Sequence, residues 1–121
     1  MVTTQTILST TTYGVPSGNY DGSSSIWFSD AVQAADYYRG RGGVQTIRFD
    51  LNNFEGRIFL EGTLNSDSPN ANWFTTYELG DGSTVPITDI VPHTVVGNFT
   101  WMRLRITGFE GGTINSVTIT Y

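Results

Sequence analysis

The chain has no cysteine, no lysine and a single histidine among its 121 residues. Without cysteine it can form no disulfide bond, no thiolate zinc site and no thiol nucleophile. Charged residues make up only 14% of the sequence, all six cations are arginines, and the formal net charge is −5. A chain this acidic, with so few cations, is a poor ligand for phosphate backbones, so we expect no nucleic-acid partner.

Long apolar segments are absent as well. No apolar run approaches the roughly 20 residues that cross a bilayer, so we expect no membrane partner. The first residues do not combine a basic region with an apolar stretch, and therefore do not resemble a signal peptide. The length fits a single domain, which we predict over 1–121.

Residues that favour strands and turns dominate what is present. Turn signals follow one another at about eight to twelve residues, which predicts an all-β, antiparallel β-sandwich of jelly-roll type with about seven or eight strands. The predicted strands cover 3–13, 44–51, 56–64, 73–79, 85–96, 99–107 and 113–121. Pro86 and Pro92 break the fifth of these segments, which favours a sheet edge. Ser29 or Asp30 could cap one or two helical turns over 31–38, so we predict at most one short helix.

The end of the chain shows the clearest alternation. Met102, Leu104 and Ile106 fall on one face of the segment 101–107, and the segment 113–121 repeats the period of two. A glycine-rich stretch lies between the two segments. We therefore predict a hairpin with one buried face.

The segment 56–64 alternates in the same way. Ile58, Leu60 and Leu64 are expected to point inward, and Phe59 and Glu61 outward. This assignment puts an aromatic ring and a carboxylate on the solvent side of a strand.

Several motifs together resemble a known family. Asn-Phe-Glu-Gly-Arg-Ile-Phe-Leu-Glu-Gly-Thr-Leu at 53–64 is followed by a polar loop with Pro69 and then by Trp73. Gly-Asn-Phe-Thr-Trp-Met-Arg-Leu-Arg-Ile at 97–106 is followed by Gly-Gly-Thr-Ile-Asn-Ser-Val-Thr-Ile-Thr-Tyr at 111–121. The order of these motifs, over most of the chain, resembles small β-sandwich virion proteins of tailed bacteriophages, notably of T4-like cyanophages. The last two segments also look like discoidin-type jelly rolls.

This resemblance implies a structural or adhesive part of a virion, such as a head decoration, neck, tail or fibre component. Such a protein is not an enzyme and acts by contacts with other virion proteins, including copies of itself in a homo-oligomer. The alternative is a carbohydrate-binding module or receptor-binding adhesin that recognises a host-surface glycan.

An outward stripe of aromatic and arginine side chains is the main candidate for such contacts. Aromatic residues and arginine carry most of the binding energy in protein interfaces, and aromatic rings with polar neighbours also bind sugars. The candidate residues are Trp101, Arg103, Arg105, Phe99, Trp73 and Tyr77. The open alternative is that a neighbouring loop, or the segment 31–38, covers the stripe.

One loop is a candidate for calcium, the only cofactor that the sequence suggests. Asn19, Asp21 and Asp30 follow the oxygen spacing of a calcium loop in part, although Ser24 stands where that motif needs glycine. The alternative is an ordinary loop that binds no metal.

No residue is assigned to catalysis. His93 is the only histidine, and no nucleophile elbow accompanies it. The carboxylates that could form a glycosidase pair are Asp50, Glu55, Glu61, Glu78, Asp89 and Glu110. Solvated strand faces and turns are the preferred explanation for their presence, because any acidic domain offers such carboxylates.

Overall fold

The computed structural model describes residues 3–35, 37, 43–65, 72–80 and 86–121. The described residues form eight strands and no helix, and every strand pair is antiparallel. The strands are β1 (Thr4–Leu8), β2 (Thr11–Thr12), β3 (Trp27–Phe28), β4 (Val32–Gln33), β5 (Val44–Thr63), β6 (Phe74–Leu79), β7 (Ile87–Val96) and β8 (Trp101–Thr120). Among these residues there is accordingly no apolar helix that could span a bilayer.

The two long strands, β5 and β8, form the centre of the sheet. They pair from Thr46 opposite Thr120 to Thr63 opposite Trp101. The other side of β8 pairs in turn with β1, β2, β3 and β4, and the other side of β5 pairs with β7 and β6. The edge position predicted for 85–96 is therefore confirmed, although Pro92 lies within one continuous strand.

The sheet folds across its middle into a sandwich. The first sheet contains β1, β2, residues 113–120 of β8, residues 44–52 of β5, and β7. The second contains β3, β4, residues 101–107 of β8, residues 57–63 of β5, and β6. Each sheet is thus four strands wide, which is the arrangement of a jelly roll and confirms the predicted fold class.

Side chains join the two sheets at both edges. On one edge, Gln5 Nε2 and the Tyr121 hydroxyl both donate to the Gln33 carbonyl, each over 2.9 Å. On the other edge, the ring of Tyr77 in β6 stacks on that of His93 in β7, with centroids 3.7 Å apart. These contacts hold the folded sheet closed.

The crease between the sheets is made by close backbone approach. Asn53 and Gly112 have positive φ values of 52° and 82°, and the β5–β8 register shifts between Asn52 and Arg57. A Cβ at Gly112 would lie 2.0 Å from the carbonyl oxygen of Asn53. Only glycine fits there, and the irregular register lets both long strands bend.

Inward side chains of both sheets form one core. The core residues of β5 and β8 are Ile47, Phe49, Leu51, Phe54, Ile58, Leu60, Met102, Leu104, Ile106, Phe109, Ile114, Val117 and Ile119. Burial of each large side chain stabilises the fold by about 1.5–3 kcal/mol. The predicted inward faces are confirmed except at Leu64, which follows the end of β5 and is 61% exposed.

The predicted hairpin is wrong. Segments 101–107 and 113–121 do not pair with each other, because 101–120 is one bent strand whose whole length pairs with β5. The strands predicted at 44–51 and 56–64 likewise form the single strand β5. In both places the turn-type residues bend the strand instead of reversing it.

The one or two helical turns considered over 31–38 do not form in the part that the structure describes. Val32 and Gln33 form β4, which pairs with Met102 and Trp101 on the open side of β8. A helix of one or two turns is marginal by itself, so ladder hydrogen bonds to an unpaired strand edge are preferred. Residues 36 and 38 lie outside the described residues.

Candidate functional site

Strand alternation places two arginines side by side on the outer face of the second sheet. Arg103 and Arg105 alternate with fully buried neighbours in β8, so both point away from the core. In β5, Glu61 lies opposite Arg103 and Phe59 lies opposite Arg105. Phe28 of β3 pairs with Arg105 from the other side.

These side chains form what we call the Arg–aromatic cluster. Its members are Phe28, Phe59, Glu61, Trp73, Arg103 and Arg105. Three strands, β3, β5 and β8, and the residue that precedes β6 contribute to it, so tertiary structure is needed to assemble it.

Glu61 holds the cluster together from below. Its side chain is 10% exposed, and its Oε1 accepts a 2.8 Å hydrogen bond from Arg103 Nε. Its Oε2 lies 3.3 Å from Arg105 Nε, at an angle outside that of a hydrogen bond. One carboxylate thus faces two guanidinium groups, which leaves the cluster with one net positive charge.

Aromatic rings fix the guanidinium groups from the sides. Arg103 Cζ lies 4.5 Å from the ring centroid of Phe28 and 4.4 Å from that of Trp73. Arg105 Cζ lies 4.2 Å from the ring centroid of Phe59. Cation–π contacts at such partly exposed sites contribute about 0.5–1 kcal/mol each. The two arginines are therefore held in place while 26% and 33% of their side chains remain exposed.

The other predicted contact residues lie elsewhere. Trp101 packs edge-on against Tyr37, with centroids 5.0 Å apart. Phe99 is 8% exposed and contacts Phe74. Tyr77 lies between the sheets against His93. Of the six candidates, the structure brings together Trp73, Arg103 and Arg105.

The candidate calcium loop is held by its own hydrogen bonds. The Asn19 amide nitrogen donates to Asp30 Oδ1 over 2.9 Å, so a donor rather than an oxygen faces that carboxylate. Asp21 accepts hydrogen bonds from the backbone N–H groups of Ser23 and Ser24. These hydrogen bonds lower the pKa of Asp21 to about 2. No group of three or more metal-ligating side chains occurs within the described ranges.

The carboxylates considered for catalysis have structural partners in several cases. Asp50 forms an ion pair with Arg48 and accepts from Asn115. Glu78 lies 3.3 Å from Arg57 on the surface of the second sheet. His93, the only candidate for a histidine base, packs against Tyr77.

Sequence reasoning missed three members of the cluster as site residues: Phe28, Phe59 and Glu61. Alternation did place Phe59 and Glu61 on the outward face. The missing information was the register, which sets Glu61 opposite Arg103 across two strands 42 positions apart in sequence. Phe28 lies in the short apolar run 26–28, in which the sequence gives no sign of which side chain points outward.

No protein-family model matches this chain, and neither a curated protein nor a solved structure matches it. Inference about function therefore rests on the jelly-roll fold, the Arg–aromatic cluster and the sequence motifs.

Proposed function

We propose that this chain is a non-enzymatic structural protein that acts by protein–protein contacts through the Arg–aromatic cluster. The observation that carries the proposal is a pair of partly exposed arginines on the second sheet: Arg103 lies between two aromatic rings and Arg105 lies against one. Tryptophan and arginine are the residue types most enriched among the residues that dominate binding energy in interfaces.

The cluster is suited to binding because it is already ordered. Immobilising a free, rotamer-rich side chain on binding costs about 0.5–1.5 kcal/mol. Glu61 and the rings of Phe28 and Trp73 already restrict Arg103 in the unbound chain. A partner would therefore lose less free energy in ordering this surface than it would on free arginines.

The resemblance to small virion proteins of tailed bacteriophages supplies the setting. A head decoration, neck, tail or fibre component contacts copies of itself or other virion proteins. Either kind of contact needs a specific outer surface. We accordingly propose a virion location, with a homo-oligomer or a larger shell or tube as the assembled form.

Sugar binding is the second candidate. It rests on Phe28, which is 40% exposed, and on Trp73, which contacts the same guanidinium group. The Arg103 guanidinium already covers one face of each ring, so a sugar could stack only on the opposite faces. This makes the protein contact the better supported of the two. Binding on a glycan array that disappears in Trp73→Ala would reverse the order.

The test is site-specific photo-cross-linking in assembled particles. A benzophenone-bearing phenylalanine analogue replaces Phe28 in one variant and Val44 in a matched control. Val44 is 51% exposed and belongs to the first sheet. We expect position 28 to cross-link to a neighbouring chain and position 44 to give little product.

Two results would contradict the proposal. Cross-linking from position 44 but not from 28 would show that the contact lies on the other sheet. Failure of the wild-type chain to sediment with particles would remove the virion setting.

A further inference from the structure

We propose that the Arg–aromatic cluster binds carboxylate groups, and that its occupant is an extended acidic segment of a partner protein. This inference rests on the proposed function, because it names the chemistry of the partner that meets the same surface. It goes further by assigning an oxyanion site to two particular arginines.

The first argument is the number of hydrogen-bond donors left over. In the described part of the chain, the bond from Arg103 Nε to Glu61 is the only hydrogen bond that either guanidinium group makes. The Nη groups of Arg103 and Arg105 therefore keep their donors. Each guanidinium presents a planar fork that matches a carboxylate with two parallel hydrogen bonds.

The second argument is charge. Two guanidinium groups share one carboxylate, so Glu61 neutralises only half of the local positive charge. The neighbouring pair of Arg57 and Glu78 adds no net charge. A local positive charge on a chain whose net charge is −5 favours an anionic partner at this face.

The third argument is spacing. Arg103 and Arg105 are two residues apart on one strand, which separates them by about 7 Å. Alternate residues of an extended peptide repeat at the same distance of about 7 Å. A segment with Glu or Asp at every second position can therefore place one carboxylate on each arginine.

The test uses peptide titrations followed by NMR. The probe is an extended peptide with glutamate at alternate positions, and the control probe carries glutamine at those positions. We expect the glutamate peptide to shift the Nε–H signals of Arg103 and Arg105 and the glutamine peptide to leave them unchanged. Raising the salt concentration should weaken binding, because these charges are partly exposed.

Variants locate the site. Arg103→Gln should lower the affinity by roughly tenfold or more, since it removes hydrogen bonds between charged groups. Arg103→Lys keeps the charge and loses the fork, and is expected to bind several-fold more weakly than wild type. Arg48→Gln, which changes an exposed arginine on the first sheet, should bind as wild type. If Arg103→Gln fails to fold, the affinity of Arg103→Lys for the glutamate peptide provides the comparison with wild type.

The outcomes separate this inference from the proposed function. No binding of the glutamate peptide, together with cross-linking from position 28, would reject the carboxylate site and leave the protein contact standing. No binding and no cross-linking would reject both. Tighter binding of polygalacturonate than of the peptide, dependent on Arg103, would show that the occupant is an acidic glycan. If Arg48→Gln lowers the affinity for the glutamate peptide as much as Arg103→Gln does, the binding is non-specific charge attraction and the proposed site is rejected.

Discussion

The outer faces of the two sheets come from the same two long strands and differ in what they carry. On the first sheet, Thr4, Thr120, Thr46 and Thr94 form one row across four strands. Their hydroxyls pair over 3.1 Å between β1 and β8 and over 2.9 Å between β5 and β7. On the second sheet, the corresponding face carries long arginines and aromatic rings over a buried carboxylate.

This difference shows which of the two outer faces carries side chains that the fold alone does not explain. Threonine is common on strands because its branched side chain suits a pleated surface, so the threonine row is explained by the fold alone. A charged side chain that is almost fully buried on an outer face has no such explanation. Glu61 is 7% exposed and faces the guanidinium groups of Arg103 and Arg105.

The largest expected effect comes from the crease that separates the two faces. Gly112→Ala should destabilise the fold by about 3 kcal/mol or more, since its Cβ would meet the Asn53 carbonyl in a left-handed backbone conformation. The measurement is the free energy of unfolding in urea.

Gly108→Ala is the control: its φ is also positive, at 59°, but the space around it is open. We expect a loss of about 1–2 kcal/mol there. Equal losses would show that the two strands do not approach at the crease.

The next effect compares the carboxylates of the two faces. Glu61→Gln should cost about 1–3 kcal/mol, because it leaves two adjacent guanidinium groups without a counter-charge. Asp50→Asn on the first sheet should cost less than about 1 kcal/mol, because its ion-pair partner Arg48, two residues earlier in β5, has a side chain that is 49% exposed. Urea unfolding of both variants checks the order, and the reverse order would contradict the special role given to the second face.

The smallest effect concerns a carboxylate outside both faces. The pKa of Asp21 is lowered from 3.8 to about 2 in the folded chain. Its contribution to stability is therefore present above pH 3.8 and is lost as the pH falls towards 2. Asp21→Asn should lower the Tm slightly at neutral pH, and the difference from wild type should shrink between pH 3.8 and about 2. A difference that stays constant over this range would show that the charge of Asp21 is irrelevant.

Much of the fold could be predicted from the sequence, because apolar and polar residues alternate regularly along the strands. The inward residues Met102, Leu104 and Ile106 could be assigned from a period of two alone, and so could the outward Arg103 and Arg105. The turn-type residues at 52–56 and 108–112 were ambiguous, because glycine and asparagine permit both a tight turn and a bend. We predicted that the chain reverses direction in both places, whereas each strand bends and continues.

Only about half of the Arg–aromatic cluster could be predicted from residue type and strand alternation. Arg103, Arg105 and Trp73 were candidates from residue type and position. Phe59 and Glu61 needed the β5–β8 register, which depends on contacts between residues far apart in sequence.

By itself, the sequence determined the fold class, the strand faces and the side of β8 on which the arginines lie, since all three follow from local alternation and turn propensity. Only the tertiary structure decided that two bent strands cross from one sheet to the other. Only the tertiary structure decided that one buried carboxylate lies beneath two arginines. The reason is physical: alternation repeats every two residues and can be read locally, whereas register is fixed by core packing and by close backbone approach at the crease.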